Sequence, residues 1–269
     1  MRKKALVLDI DGTLTNSRKE ISPVTKSALL RIMERGHMVA LASGRPAFGM
    51  RRYGEELNLH RYGGYLLAYN GARVISCSTG ETVFQRTLPE ELLPELFAFA
   101  RKEGCGLATH TEDTVISAFL PDEYIELEAR INGMPVRQAE CFSEYVNFAV
   151  CKCFMTAPAE RAAELEKILR EQAAGLASVY RSEPFFIEIV PEKVDKGDSL
   201  RRLTESLGID REDVVCCGDG YNDIPMLVYA GVGAAMGNAQ PEVKAAADYV
   251  TESNDKDGIV SVIERFIEK

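Results

Sequence analysis

The chain of 269 residues has no long apolar run. No window approaches the roughly 18 consecutive apolar residues of a membrane span. "MRKKALVL" opens like a secretory leader, but its apolar run, Ala5 to Leu8, stops at Asp9. Four residues are too few for the hydrophobic region of a signal peptide, so the expectation is a cytoplasmic protein. A basic cluster is also missing: 32 Lys and Arg against 41 Asp and Glu leave a net charge of −9. That balance argues against nucleic acid and against an anionic membrane surface as partners. An anionic substrate would need a metal or a few placed cations. Seven cysteines contain no C-x-x-C pair; Cys151-x-Cys153 and Cys216-Cys217 lie in apolar runs and read as reduced core thiols. A zinc centre needs clustered ligands that this chain does not assemble. Repeats and low-complexity linkers are absent as well.

What is present is an ordinary globular composition, 46% hydrophobic and 27% charged, long enough for one large or two smaller domains. The first part alternates strand and helix. "ALVL" reads as a buried strand. "SPVTKSALLRIMERG" reads as a helix with Ser22 as N-cap, Pro23 at the first helical position and Gly36 beyond its end. Its residues Ala28, Leu29, Ile32 and Met33 share one face. "HMVALAS" and "GYLLAY" are further strands. The last part repeats the pattern with the strand "DVVCC", the helix "IPMLVYA", the short strand "GVGAAM" and the closing helix "GIVSVIERFIEK". Continuous apolar strands between amphipathic helices predict an α/β, doubly wound parallel-sheet core, Rossmann-like in layout.

The middle reads differently. "ARVIS" and "TVFQRTL" flank Ser78-Thr79-Gly80 as a hairpin. A helix from Pro89 to Lys102, short strands at "LATH" and "TVISAF", and a helix at "DEYIELEAR" follow. Then come the strand "VNFAVCKCFM", the helix "PAERAAELEKILREQAAG", and the strands "ASVYR" and "FFIEIV". This predicts an inserted α+β domain with its own core at 83–190, between core segments at 1–82 and 191–269.

Four short motifs fall where parallel strands end or helices begin, the edge at which open α/β sheets place ligands. The first is Asp9-Ile10-Asp11-Gly12-Thr13. Residues two apart on extended chain point the same way, so both carboxylates can face one site, and Gly12 permits a sharp turn. The second is Ser43-Gly44-Arg45, a hydroxyl and free backbone N–H groups opening a helix, which can seat a phosphate. The third is Asp195-Lys196-Gly197. The fourth is Gly218-Asp219-Gly220-Tyr221-Asn222-Asp223, whose carboxylates around a tight turn suit the oxygen-seeking Mg²⁺. Singly these read equally as a capped turn, a helix N-cap, a solvated lysine and an acidic loop. Their order and placement together make the case.

In that order they resemble the four motifs of the haloacid dehalogenase superfamily of phosphohydrolases. The insertion between the second and third resembles the large α/β cap of its Cof-type (class IIB) members. The resemblance implies Mg²⁺-dependent hydrolysis of small phosphorylated metabolites, sugar phosphates or similar phosphomonoesters. It implies Asp9 as nucleophile forming an aspartyl-phosphate, and Asp11 as acid and then base. Asp9, the Asp11 backbone carbonyl and Asp219 would hold the metal, with Asp223 behind them. Ser43, Gly44, Arg45, Lys196 and Asn222 would bind phosphate or substrate, and Asn70 would sit at the cap hinge. A cation is physically needed, since two carboxylates ~4 Å apart repel by ~4 kcal/mol at an effective dielectric of 20. Many relatives have Gly and Ser where this chain has Glu192 and Asp195. His110 is the histidine placed in the cap, where the substrate's leaving group is expected to be read. A monomer is the default expectation.

Other readings stay open at this stage. Phosphomutase-type transfer would use the same motifs. A phosphoaspartate receiver would share the acidic residues, Mg²⁺ and a lysine, but receivers are about half this length. "SNDKDGIVSVIE" echoes a calcium loop through Asp255, Asp257, Gly258 and Glu264, yet its first position is Ser253 and the segment before it reads as strand rather than helix. "GVGAAMG" is one residue off the dinucleotide fingerprint and lacks its strand–helix context.

Overall fold

Ala5–Leu8 forms the first strand, β1, and all four side chains are buried, as consecutive apolar residues between two sheet neighbours must be. The structure, a computed structural model, describes residues 2–139 and 141–268. The further strands are β2 (Met38–Ala42), β3 (Tyr65–Ala68), β4 (Arg73–Ser76), β5 (Thr82–Gln85), β6 (Gly106–His110) and β7 (Val115–Ser117). They continue as β8 (Val136–Gln138), β9 (Cys153–Thr156), β10 (Ala177–Glu183), β11 (Phe186–Pro191), β12 (Val214–Gly218), β13 (Val232–Ala235) and β14 (Tyr249–Val250). Two units emerge: Met1–Gly44, Met50–Phe84 and Asp195–Lys269 in one, Arg45–Gly49 and Gln85–Val194 in the other. The second thus takes in five residues after Gly44 that lie far from the insertion in sequence.

In the first unit the strand order is β14-β13-β12-β1-β2-β3-β4-β5. β1 pairs parallel with β2 on one side (Ala5 opposite Met38) and with β12 on the other (Ala5 opposite Val214). The chain therefore winds outward through β2 and β3, then returns to wind outward through β13 and β14. The winding sense reverses between β1 and β12, and the carboxyl ends of those strands border the crevice where such sheets bind ligands. One sheet face, with Ala5, Val7, Met38 and Ala40, is covered by Leu200 and Leu203 of the helix Lys196–Ser206 and by Met226 and Leu227 of the helix Ile224–Tyr229. Burying each Leu or Met fully contributes about 1.5–3 kcal/mol. It also fixes the ends of helices that begin at Lys196 and just after Asp223. The helix Pro23–Glu34 packs against β2 and the helix Gly258–Val262, and the Ser22 hydroxyl caps it by accepting from Thr25 N.

The second unit has its own six-stranded sheet, β10-β11-β9-β6-β7-β8, in which only β7 and β8 are parallel. Leu107, Met155, Ile187 and Ile189 form one apolar face under the helices Leu92–Glu103 and Ala159–Gln172. The opposite face, with Ala108, Phe154 and Phe186, packs against Ile125 and Ala129 of the helix Glu123–Asn132. Two residues along the chain from those three, on the same face, stand His110, Lys152 and Glu188, all buried. Lys152 Nζ lies 2.9 Å from Glu188 Oε2 and 3.6 Å from Glu128 Oε1. His110 Nε2 lies 3.3 Å from the same Glu128 oxygen. Burial pushes the His110 pKa down and keeps the ring neutral. Burial alone would raise Glu128, but the Lys152 ammonium and then His110 outweigh it and hold the carboxyl at about 2.

Two elements differ from their sequence pattern. β9 covers only the end of "VNFAVCKCFM", because the backbone before it bonds elsewhere: Val146 N donates to Phe142 O, Asn147 N to Tyr145 O, and Val150 O accepts from Leu88 N. The closing helix is α-helical over Gly258–Val262 and widens to i→i+5 bonding over Ile263–Ile267; its last residue, 269, lies outside the described residues. Among the described residues no helix is long and apolar enough to cross a membrane.

Candidate active site

β1 delivers Asp9 to the sheet edge. Asp9 N donates to Cys217 O at 3.1 Å, extending the ladder with β12 by one residue, and the side chain is buried. The chain then turns, with Leu14 N donating to Asp9 O and Thr15 N to Ile10 O. Gly12 makes that turn at φ +86°, and a Cβ there would lie 2.3 Å from Asp219 Oδ2. Only glycine allows both the left-handed backbone and this approach of the first and fourth motifs.

Asp219 follows β12 directly. Its Oδ1 accepts from the Thr13 hydroxyl at 2.8 Å, while Asn238 Nδ2 donates to Gly12 O at 2.8 Å and reaches Asp219 Oδ2 at 3.4 Å. Asp223 closes the same turn: its Oδ2 accepts from the backbone N–H of Asp219 and of Gly220, each at 2.9 Å. Its Oδ1 accepts from Lys196 Nζ at 2.6 Å. Lys196 also donates to Asp9 Oδ1 at 2.7 Å and has no exposed surface. Gly197 lets this helix start approach its neighbour, since a Cβ there would lie 2.5 Å from Pro225 O.

Carboxylates outnumber cations here, and their acidities show it. Burial first, and then the Asp223 charge, raise Asp9 well above the usual carboxylate range, against the pull of Lys196. Burial raises Asp219 to about 6, with the Thr13 hydrogen bond opposing and Asp223 adding. Lys196 is pushed the other way: burial disfavours its charge, but the Asp223 and Asp9 carboxylates outweigh that and raise its pKa. Asp9, Asp219 and Asp223 each offer an oxygen within 4.8 Å of the other two. Hard oxygen donors with surplus negative charge fit Mg²⁺. Asp223 already uses both oxygens on Lys196 and two backbone N–H groups, which suits it to orienting the cluster more than to ligation.

The second motif stands beside these. Ser43, after β2, is buried; its N donates to Leu67 O and its carbonyl accepts from Asn70 N, each at 2.9 Å. Asn70 is left-handed at φ +55°. Asn222 Nδ2 donates to Asn70 Oδ1 at 2.9 Å, and a Cβ on Gly44 would meet the Asn70 amide at 3.4 Å. Asn70 therefore links the second and fourth motifs. The Arg45 guanidinium donates to Ile131 O at 2.9 Å and reaches Asn132 Oδ1 at 3.3 Å. Both acceptors close the helix Glu123–Asn132 in the second unit, where a cation complements the helix dipole.

The unusual acids of the third motif have structural partners. Asp195 caps the helix Lys196–Ser206 by accepting from Asp198 N at 2.8 Å, and Glu192 accepts from Gly175 N at 3.1 Å. The calcium-like acids are engaged as well. Asp255 accepts from Ser17 N and Ser17 Oγ at 2.8 and 2.6 Å, and Asp257 accepts from the Ser22 and Thr25 hydroxyls. The site also holds residues that the motifs did not single out. Thr13 was visible as the last letter of D-x-D-G-T. Asn238 had a signal in the Gly-Asn turn that follows β13.

The profile of the haloacid dehalogenase-like hydrolases matches residues 6–263. A solved haloacid dehalogenase-like hydrolase from Bacteroides thetaiotaomicron is 41% identical, covers 98% of this chain and 99% of that one, and superposes with a TM-score of 0.94. A solved subclass IIB sugar phosphatase of the same superfamily is 28% identical over 98% of this chain and 99% of that one, with a TM-score of 0.81. The 5-amino-6-(5-phospho-D-ribitylamino)uracil phosphatase YcsE of Bacillus subtilis (strain 168) is 27% identical over 264 residues, 98% of this chain and 96% of the relative.

Proposed function

The chain belongs to the haloacid dehalogenase-like hydrolases and is a phosphatase, and from that premise we propose that it hydrolyses phosphomonoesters of small metabolites with Mg²⁺, through an aspartyl-phosphate on Asp9. The observation that carries this reading is Asp9 at the end of β1, held by the buried Lys196 and ringed by Asp219 and Asp223. The uncatalysed reaction is among the slowest known, and a covalent intermediate divides it into two displacements. Asp9 attacks phosphorus. Asp11 gives a proton to the leaving oxygen, then takes one from the water that hydrolyses the aspartyl-phosphate. The Ser43 hydroxyl and Gly44 N–H bind phosphate oxygens, and Lys196 offsets charge on Asp9 and on the incoming phosphate. Asp9, Asp219 and the Asp11 carbonyl would hold Mg²⁺, which would neutralise the transferring phosphoryl oxygens.

The substrate class draws on the relatives' names. One is a sugar phosphatase, and the other acts on a phosphorylated ribityl chain. A phosphate ester of a sugar or polyol is therefore the expected substrate. Asp9→Asn should release no phosphate from such esters while its melting transition stays at the wild-type temperature. Chelation by EDTA should stop turnover and added Mg²⁺ restore it. A screen of phosphorylated metabolites, scored for free phosphate and for isomerised ester, separates hydrolysis from phosphomutase transfer. Turnover by Asp9→Asn would overturn the mechanism.

A further inference from the structure

The Gly237-Asn238 turn comes to the site from β13, the strand next to β12. Met236 N donates to Gly218 O at 3.0 Å, which ties the end of β13 to the residue before Asp219. Ala239 N donates to Met236 O at 2.9 Å and closes the turn. Gly237 N donates to Glu252 O at 3.0 Å, and a Cβ on Gly237 would lie 2.8 Å from Ser253 N. The turn is therefore pressed against the loop that follows β14. Asn238 is exposed, yet its amide is held at both ends. Its Oδ1 accepts from Asn254 N at 3.0 Å, while Nδ2 donates to Gly12 O at 2.8 Å and reaches Asp219 Oδ2 at 3.4 Å. An oxygen that must accept and a nitrogen that must donate fix which way the amide faces.

The loop that holds Asn238 also holds the chain beyond the first motif. Asn254 Nδ2 donates to Thr15 O at 2.9 Å. Asp255 accepts from Ser17 N and Oγ in the next turn, which Lys19 N closes by donating to Asn16 O. Within this frame the Asp219 carboxylate is gripped through both oxygens, Oδ1 by the Thr13 hydroxyl and Oδ2 by Asn238. The grip matters because the last torsion of an aspartate is broad and does not fix the carboxylate plane by itself. Each carboxylate oxygen has about two lone-pair sites, so a hydrogen bond and a metal bond can share it. Asn238 orients the carboxylate without bringing a positive charge, which would repel a metal ion.

We propose that Asn238 is a positioning residue for Mg²⁺: it sets the plane of the Asp219 carboxylate and the course of the chain at Gly12, and so gives the site its preference for Mg²⁺ over Ca²⁺. The proposal rests on the reading of Asp219 as a metal ligand. Mg²⁺ demands near-ideal octahedral directions at about 2.0–2.1 Å, whereas Ca²⁺ accepts oxygens at about 2.3–2.6 Å in flexible arrangements. A carboxylate free to pivot about its Thr13 bond therefore costs Mg²⁺ more than Ca²⁺. The Gly12 carbonyl follows that of Asp11 by one residue, so the same amide steadies both proposed ligands.

Calorimetric titration of the metal-free protein at one neutral pH, with MgCl₂ and separately with CaCl₂, tests this. Asn238→Ala should weaken Mg²⁺ binding by about tenfold or more, within the ~10–100-fold that loss of a partner behind a metal ligand costs. It should weaken Ca²⁺ binding much less, so that the ratio of the two affinities falls. That ratio is the readout that a loss of fold stability alone would not move. Asn254→Ala keeps the backbone N–H on Asn238 and loses only the bond to Thr15 O, so it should lower the ratio less. Asp219→Asn is the reference. If it binds Mg²⁺ as the wild type does, the ligand reading of Asp219 fails. If it loses Mg²⁺, but Asn238→Ala keeps both affinities, loses both in equal measure or loses more for Ca²⁺, the positioning role of Asn238 is overturned.

Discussion

Lys196 donates to Asp9 Oδ1 across 2.7 Å from a fully buried position. The same ammonium reaches Asp223 at 2.6 Å, so one cation serves two carboxylates. Lys196→Met should therefore damage both stability and activity. Breaking a buried pair by removing one partner costs about 3–5 kcal/mol, read as a lower urea midpoint. Phosphate release should fall by at least ~10²-fold, as for loss of a preorganised charge at the transition state. Lys196→Arg should not rescue it, because a planar guanidinium does not fill the site of a point charge.

Magnesium binding should weaken in acid. Asp219 is raised to about 6 without metal, and a ligand must lose its proton to coordinate. Mg²⁺ affinity should fall as pH drops through about 6, by up to about tenfold per pH unit for each proton displaced from a ligand. Calorimetric titration at pH 5, 6 and 7.5 reads this directly. An affinity unchanged across that range would remove Asp219 from the ligand set.

Gly12→Ala should cost far more activity than stability. The new methyl would sit 2.3 Å from Asp219 Oδ2 and push that carboxylate from its place. A displacement of this size can cost about 10² in rate. Gly36→Ala is the control: it is also left-handed, at φ +90°, but nothing lies within 4 Å of the added carbon. It should lower stability by about 1 kcal/mol and leave kcat intact.

In the second unit, Lys152 is the charge between Glu128 and Glu188. Glu128 stands at about 2 against an ordinary 4.5. A depressed carboxyl stabilises the fold above its unfolded pKa, so this contribution, about 3 kcal/mol at 1.36 kcal/mol per unit, is complete above pH 4.5 and lost as pH falls towards 2. Lys152→Met should destabilise most at neutral pH, and its penalty should shrink in acid as Glu128 takes a proton. Urea melts of both proteins at pH 7 and about 3.5 test the sign. A penalty that grows in acid would show that Lys152 does not carry the pair.

Much of the first unit could be read from local pattern. "ALVL", "HMVALA" and "DVVCC" are buried strands because no polar side chain interrupts them, and Ser22-Pro23 began a helix because its capping groups lie within four residues. "VNFAVCKCFM" could not be read so, since its early backbone groups bond to Phe142, Tyr145 and Leu88 rather than to a strand. The assignment of 45–49 to the second unit also left no mark in composition.

At the site, the sequence by itself determined which residue types stand at the sheet edge: two aspartates on one extended strand, a hydroxyl with a glycine, a lysine opening a helix, and acids around a tight turn. Local spacing suffices for that, because strand and helix periods fix direction over a few residues. Tertiary structure alone decided who touches whom. Lys196 meets Asp9 from 187 positions away, Asn238 and Thr13 together hold Asp219, and Asp255 grips the turn that carries Lys19. Arg45 bonds the end of a helix near residue 132, 86 positions and more along the chain. Hydrogen bonds and ion pairs act over about 3 Å, while sequence patterns report only on neighbours along the chain. Which distant groups arrive within that range is set by how the sheet winds and where its helices pack.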